Sequence, residues 1–143
     1  MGTSLEFLGM TRRAGFLVIG EESCFTAVSG KKARVLISAA DASDNSVRNA
    51  RRMAELIDVP HISYGRTKDE IGGMVGRGSP GMLAITDAGM AAGFVQRADA
   101  ESPGDYAEAL EKLNKRAARA LERKREALAH KRNVRTGKRR KNV

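Results

Sequence analysis

The chain has 143 residues, 41% of them apolar, and carries 26 Lys+Arg against 17 Asp+Glu for a net charge of +9. That suits one domain with its own core plus an extension, and no apolar run reaches the roughly 18 residues of a membrane-spanning helix. A lone cysteine, Cys24, forms no internal disulfide, which fits a reducing compartment.

The chain starts Met1-Gly2-Thr3-Ser4-Leu5-Glu6, without the basic-then-apolar pattern of an export signal. Glu6 stands where a myristoylation signal needs Ser or Thr. The expectation is a cytoplasmic protein with no membrane association. A short helix capped by Thr3 or Ser4 carries Leu5, Leu8, Phe7 and Met10 on its apolar side. Gly15 ends it, and Phe16-Leu17-Val18-Ile19 reads as a strand. Gly20 turns the chain into a helix from Glu21 to Ser29, with Cys24, Phe25, Ala27 and Val28 facing inward and Gly30 closing it. Ala33 to Ala40 then suits a strand covered on both faces.

The segment from Asp41 to Asn45 is rich in helix-starting residues, and Val47, Ala50, Met53, Ala54 and Ile57 follow at helical spacing until Asp58-Val59-Pro60 stops them. His61 to Tyr64 is a short strand. Thr67 caps a helix bearing Ile71, Met74 and Val75. Met82 to Thr86 is the last strand, and Asp87 opens a helix to about Gln96. Four short strands interleaved with helices predict a helix–sheet–helix sandwich over residues 1–97. Residues 98–104, with Ser, Pro and Gly, read as a linker.

Residues 105–132 read as a basic amphipathic helix with a narrow stripe of Tyr106, Leu110, Leu113, Ala117, Leu121 and Leu128. This stripe fits docking on the domain, pairing with another helix, or folding on RNA. Residues 133–143 read as a basic flexible tail. Up to residue 103 the chain has 12 Lys+Arg and 12 Asp+Glu, whereas residues 104–143 have 14 against 5. The whole excess charge thus sits in the C-terminal part, which favours a polyanion through counterion release. Truncation after Gly104 is expected to leave the domain folded and to weaken that binding.

Enzymatic signals are thin. Gly76-Arg77-Gly78-Ser79-Pro80-Gly81 has the letters of a dinucleotide fingerprint, but a helix precedes and a strand follows, the reverse of what the motif needs. It reads instead as a loop of small residues that another backbone approaches closely. No Cys–His pair is suggested by Cys24, His61 and His130, and metal-ligand spacing is absent. Glu21-Glu22 and Asp69-Glu70 sit in first helical turns, where the helix dipole favours them. The corner Gly20-Glu21-Glu22-Ser23 offers unpaired amides to phosphate or base edges. Four Phe, two Tyr and no Trp argue against a single-strand stacking platform. The expectation is no catalytic residue, no metal and no cofactor.

Several segments are familiar in order and spacing: Leu8-Gly9-Met10-Thr11-Arg12-Arg13-Ala14-Gly15, Gly20-Glu21-Glu22, Ile37-Ser38-Ala39-Ala40-Asp41-Ala42-Ser43, Val59-Pro60, Glu70-Ile71-Gly72 and Ala84-Ile85-Thr86-Asp87. Over residues 4–96 they resemble the ribosomal protein L-seven-Ae / L-thirty-e superfamily, and most of all its bacterial L-seven-Ae-like branch. The resemblance implies a three-layer α/β/α sandwich with a mixed four-stranded sheet, and binding to kink-turns or similar bent RNA loops.

On this chain the implied RNA contacts are Gly20, Glu21, Glu22 and Ser23 at the corner, Asp41 and Ala42 beside it, and the loop Val75, Gly76, Arg77, Gly78, Ser79 and Pro80. Lys31, Lys32, Arg116, Arg119, Arg123, Lys124, Lys138, Arg139 and Arg140 complete the RNA-binding set as cations. The family's Gly-x-Asn-Glu and following Lys are replaced here by Glu22, Ser23 and Thr26. Expected partners are ribosomal or other structured RNA, with the ribosome or its assembly factors. The alternative is a protein-interaction module, or a stand-alone RNA-recognition domain serving a separate partner such as an RNA-modifying enzyme.

Overall fold

The structure, a computed structural model, describes residues 3–136. Helix α1 (Ser4–Arg13) starts at Thr3, whose side chain accepts from the Glu6 amide while Glu6 accepts from the Thr3 amide. This reciprocal box satisfies two otherwise orphaned donors. Gly15, at φ +86°, turns the chain into strand β1 (Leu17–Ile19), and Gly20, at φ +97°, turns it again into α2 (Glu21–Ser29). Strand β2 (Val35–Ser38), helix α3 (Asp44–Leu56), strand β3 (His61–Ser63), helix α4 (Lys68–Val75), strand β4 (Met82–Ile85) and helices α5 (Ala88–Glu101) and α6 (Ala107–Thr136) follow.

The strands form one mixed sheet in the order β1-β4-β2-β3. β4 runs antiparallel to both β1 and β2, and β3 is parallel to β2. The central strands β2 and β4 are buried at every residue, because helices cover both faces. On one face Val35, Ile37, Leu83 and Ile85 pack with Leu8, Ile71, Val75 and Phe94 from α1, α4 and α5. On the other, Leu36, Met82 and Ala84 pack with Cys24, Val28, Ala50 and Met53 from α2 and α3. The protein is therefore the three-layer α/β/α sandwich with a mixed four-stranded sheet.

Three sequence expectations are corrected. Phe25 and Met10 do not face inward; they are 58% and 41% exposed. In the nine-residue α2 the inward stripe is Cys24, Ala27 and Val28, and Phe25 lies about 100° round the helix from Cys24. The helix expected to end near Gln96 continues to Glu101. Buried Ala98 extends its apolar face, so residues 98–101 are helix and the connection is confined to 102–106.

The stripe on α6 divides in two. Leu113 is fully buried within the α5-side core, and Tyr106, Ala109, Leu110 and Ala117 pack against that cluster. The Tyr106 hydroxyl donates to the Ser63 carbonyl at 2.9 Å. Lys112 and Arg116 bind the Asp58 carboxylate at 2.8 and 3.1 Å. Their charges hold its pKa low, the Lys112 hydrogen bond most of all. Residues 121–133 are all exposed. The first turns of α6 thus belong to the domain, contrary to the boundary at 97 and to a removable tail beginning after Gly104.

Candidate nucleic-acid interface

Three connections meet at one end of the sheet. The Gly20 amide donates to the Met82 carbonyl at 2.9 Å, tying the β1–α2 corner to the start of β4. The Ala39 amide donates to the Gly81 carbonyl at 3.0 Å, tying the segment after β2 to the loop before β4. A Cβ placed on Gly81 would lie 3.6 Å from that of Ala42. Asp41 accepts from the Lys68 amide at 2.7 Å, which fastens the same segment to the start of α4. The Gly20 corner, the Asp41–Ala42 segment and the end of the 76–81 loop are therefore neighbours.

At the corner Gly20 offers no side-chain cap. The first amide bonded inside α2 is that of Cys24, to the Gly20 carbonyl. The amides of Glu21, Glu22 and Ser23 have no partner among the described residues, leaving three donors for a ligand's acceptors. Glu21 is turned sideways: Asn49 and Ser46 of α3 donate to its carboxylate at 2.7 and 3.4 Å. It braces α2 against α3, while Glu22 stays exposed. The Thr26 hydroxyl donates back to the Glu22 carbonyl at 3.2 Å. Cys24, behind the corner, has its thiol pKa pushed up to about 12 by burial and by Glu21. A thiol held protonated is no nucleophile.

The loop after α4 is set by Gly76, left-handed at φ +73°, and by Ser79, whose hydroxyl donates to Asp69 at 2.5 Å. Arg77, Gly78 and Ser79 are exposed. Val75 is not available to a ligand: it is 1% exposed and part of the core, because the i, i+4 pair Ile71 and Val75 forms the inward stripe of α4. Two surface residues missed from the sequence stand here. Arg12 from α1 lies 3.7 Å from where a Gly76 Cβ would be, which places a cation beside the loop. Phe25, one turn after Glu21 and Glu22, presents an exposed ring near the corner.

The cations expected in the RNA-binding set lie away from the corner. Lys31, Arg116, Arg119, Arg123 and Lys124 line a cleft with Thr86 and Asp87, where β4 ends and β2 begins, opposite the corner. Lys32 is exposed in the same α2–β2 connection. Lys138, Arg139 and Arg140 lie outside the described residues. Among the described residues no group of His, Cys, Asp and Glu could hold a metal ion, and no helix is long and apolar enough to cross a membrane.

The class defined by this fold is a small α/β/α sandwich whose loops at one sheet end form a shallow, glycine-lined surface. No protein-family model matches the chain. It is 28% identical over 88 residues to a protein named RNA-binding protein YlxQ from Enterococcus faecium, covering 62% of this chain and 84% of that one. It superposes on a Bacillus halodurans C protein, described as of unknown function, with a TM-score of 0.63 at 22% identity, over 69% of this chain and 99% of the other. The Giardia lamblia 15.5kD RNA binding protein superposes with a TM-score of 0.54 at 18% identity, over 67% and 84%. The resemblance to the L-seven-Ae / L-thirty-e superfamily stands, and these solved structures share the fold.

Proposed function

We propose that the protein binds structured RNA, a kink-turn-like or ribosomal RNA, without catalysing a reaction on it. The observation that carries this reading is the junction of the Gly20 corner, the Asp41 segment and the 76–81 loop through the Gly20–Met82 and Ala39–Gly81 hydrogen bonds. These are the segments that the family resemblance assigns to RNA, and two similar proteins bear RNA-binding names. Free amides at Glu21 to Ser23 donate to phosphate oxygens or base-edge acceptors, and the small residues of the loop allow a nucleotide to come close. The +9 charge supplies a sequence-independent attraction.

Titration of the full chain against a kink-turn RNA, a plain duplex and a single strand at graded salt tests the reading. Tighter binding to the kink-turn that persists at moderate salt is expected. Equal, weak binding to all three that disappears with salt defeats it.

A further inference from the structure

The cleft at the far end of the sheet has features that the corner reading does not use. Its volume is about 980 Å³. One wall is the α2–β2 connection with Lys31 and Arg34; the other is α6 with Arg116, Arg119, Arg123 and Lys124. The floor comes from the end of α3 and from Thr86 to Gly89. Two carboxylates line it, and both are engaged. Asp58 is bound by Lys112 and Arg116, and Asp87 accepts the Met90 amide at the start of α5. Lys31, Arg34, Arg119, Arg123 and Lys124 have no ion pair among the described residues.

From this we infer a second RNA-binding site: the cleft holds a phosphodiester backbone between two walls of opposed cations, away from the corner. The inference rests on the RNA-binding reading and extends it. Arg116, Arg119 and Arg123 repeat at i, i+3 and i+7, on one side of the helix, stepping about 4.5 and 6 Å along its axis. Such a row suits a chain of charges rather than a single anion. Arginine's planar fork also matches phosphate oxygens in pairs. Beyond the cleft the exposed helix continues with Lys131 and Arg132, so a polyanion longer than the cleft stays in a positive field. Between Arg34 and Ala39 the intervening strand β2 spans roughly 17 Å. One short bent loop therefore fills the corner alone, and the flanking stem reaches the cleft.

The experiment uses the full chain and three variants, each checked for helix content and melting temperature: Arg119→Gln with Arg123→Gln, Lys31→Gln with Arg34→Gln, and Gly72→Ala in α4 beneath the 76–81 loop. Each is titrated against a minimal bent-loop RNA, the same RNA with a stem lengthened by one turn, a plain duplex, and an acidic helical peptide. Either pair of cleft substitutions is expected to cost tenfold or more on the long-stem and duplex RNAs. The slope of log affinity against log salt should fall by about two, with the minimal loop bound as before. Equal losses on minimal and long RNAs overturn the cleft, as does a loss confined to the α6 pair, which would mean an open helix face. Preferential binding of the peptide overturns the RNA assignment. If the cleft variants behave as expected but the unaltered chain does not prefer bent loops, the corner reading fails and the cleft stands.

Discussion

Gly72 of α4 lies directly beneath the Gly78 carbonyl oxygen: a Cβ built on Gly72 would sit 1.6 Å from it. The loop after α4 folds back over its own helix, and the Gly72 carbonyl receives the amides of Gly76 and Arg77 at 2.9 and 3.2 Å. A methyl group there has to displace backbone, so the 76–81 loop must move. Gly72→Ala is expected to lower kink-turn affinity tenfold or more and to destabilise by about 1–3 kcal/mol, the usual range for overpacking. Gly73→Ala is the control, since nothing lies within 4 Å of its added Cβ. It should leave affinity unchanged and, as a helix-interior replacement, raise stability by up to about 1 kcal/mol. Binding titrations and thermal melts of the two variants check both statements.

The corner lacks the amide and the cation that the family resemblance implies. Glu22 and Thr26 are both exposed on α2, so substituting them disturbs no packing. Glu22→Asn with Thr26→Lys should raise kink-turn affinity roughly tenfold, the scale of one charge-assisted hydrogen bond. The gain on a plain duplex should be smaller. An equal gain on both RNAs would show that only charge had been added.

Buried Leu113 changes where the chain can be cut. Ending it after Gly104 uncovers the α5-side core and removes a fully buried leucine, whose loss alone costs about 2–5 kcal/mol in comparable cores. Ending it after Leu121 removes a segment whose residues 122–133 are all exposed helix. The shorter chain should melt at clearly lower temperature. The longer one should melt like the full chain while losing much of its salt-dependent RNA affinity. Calorimetry with a salt series on both truncations distinguishes them.

Cys24 makes stability sensitive to alkali. Burial, with Glu21 adding to it, raises its pKa from 9.0 to about 12. The folded chain holds this proton more tightly than the unfolded one, so the contribution is complete below pH 9 and is lost as pH rises towards 12. The stability difference between the protein and Cys24→Ala should narrow by about 1.4 kcal/mol per pH unit above 9. Denaturant titrations at pH 8 and pH 10 check this; a difference that stays constant between them would contradict the buried thiol.

Much of the fold was legible because its signals are local. Gly20 and Gly30 bracket α2, the run from Val35 to Ser38 announces a strand buried on both faces, and Thr67 with Glu70 spells a capping box. Phe25 misled because a phenylalanine in a short helix reads as core, whereas the small residues Cys24 and Ala27 do the packing there. Val75 entered the contact set through the family resemblance, although its spacing from Ile71 already placed it inside. The corner's neighbours came from family resemblance, since no local pattern brings Gly20 to Met82. The separation of Lys31 and Arg119 from the corner depends on which way each strand runs, a tertiary property that charge counting cannot supply. Arg34 and Arg12 were passed over because only the folded chain gives them company.

Ser4, the first residue of α1, is fully buried. Its amide donates to Glu101 Oε2 at 2.8 Å, and its hydroxyl donates to Glu101 Oε1 at 2.6 Å. That hydroxyl has one proton, so the Tyr64 hydroxyl, 2.5 Å away, must be the donor in their contact. A helix end held only by its own first turn ordinarily frays first. Here it is knotted to the last turn of α5 and to the residue after β3, so unzipping from the front means breaking three elements at once. Release of the leading helix is thereby tied to opening of the core.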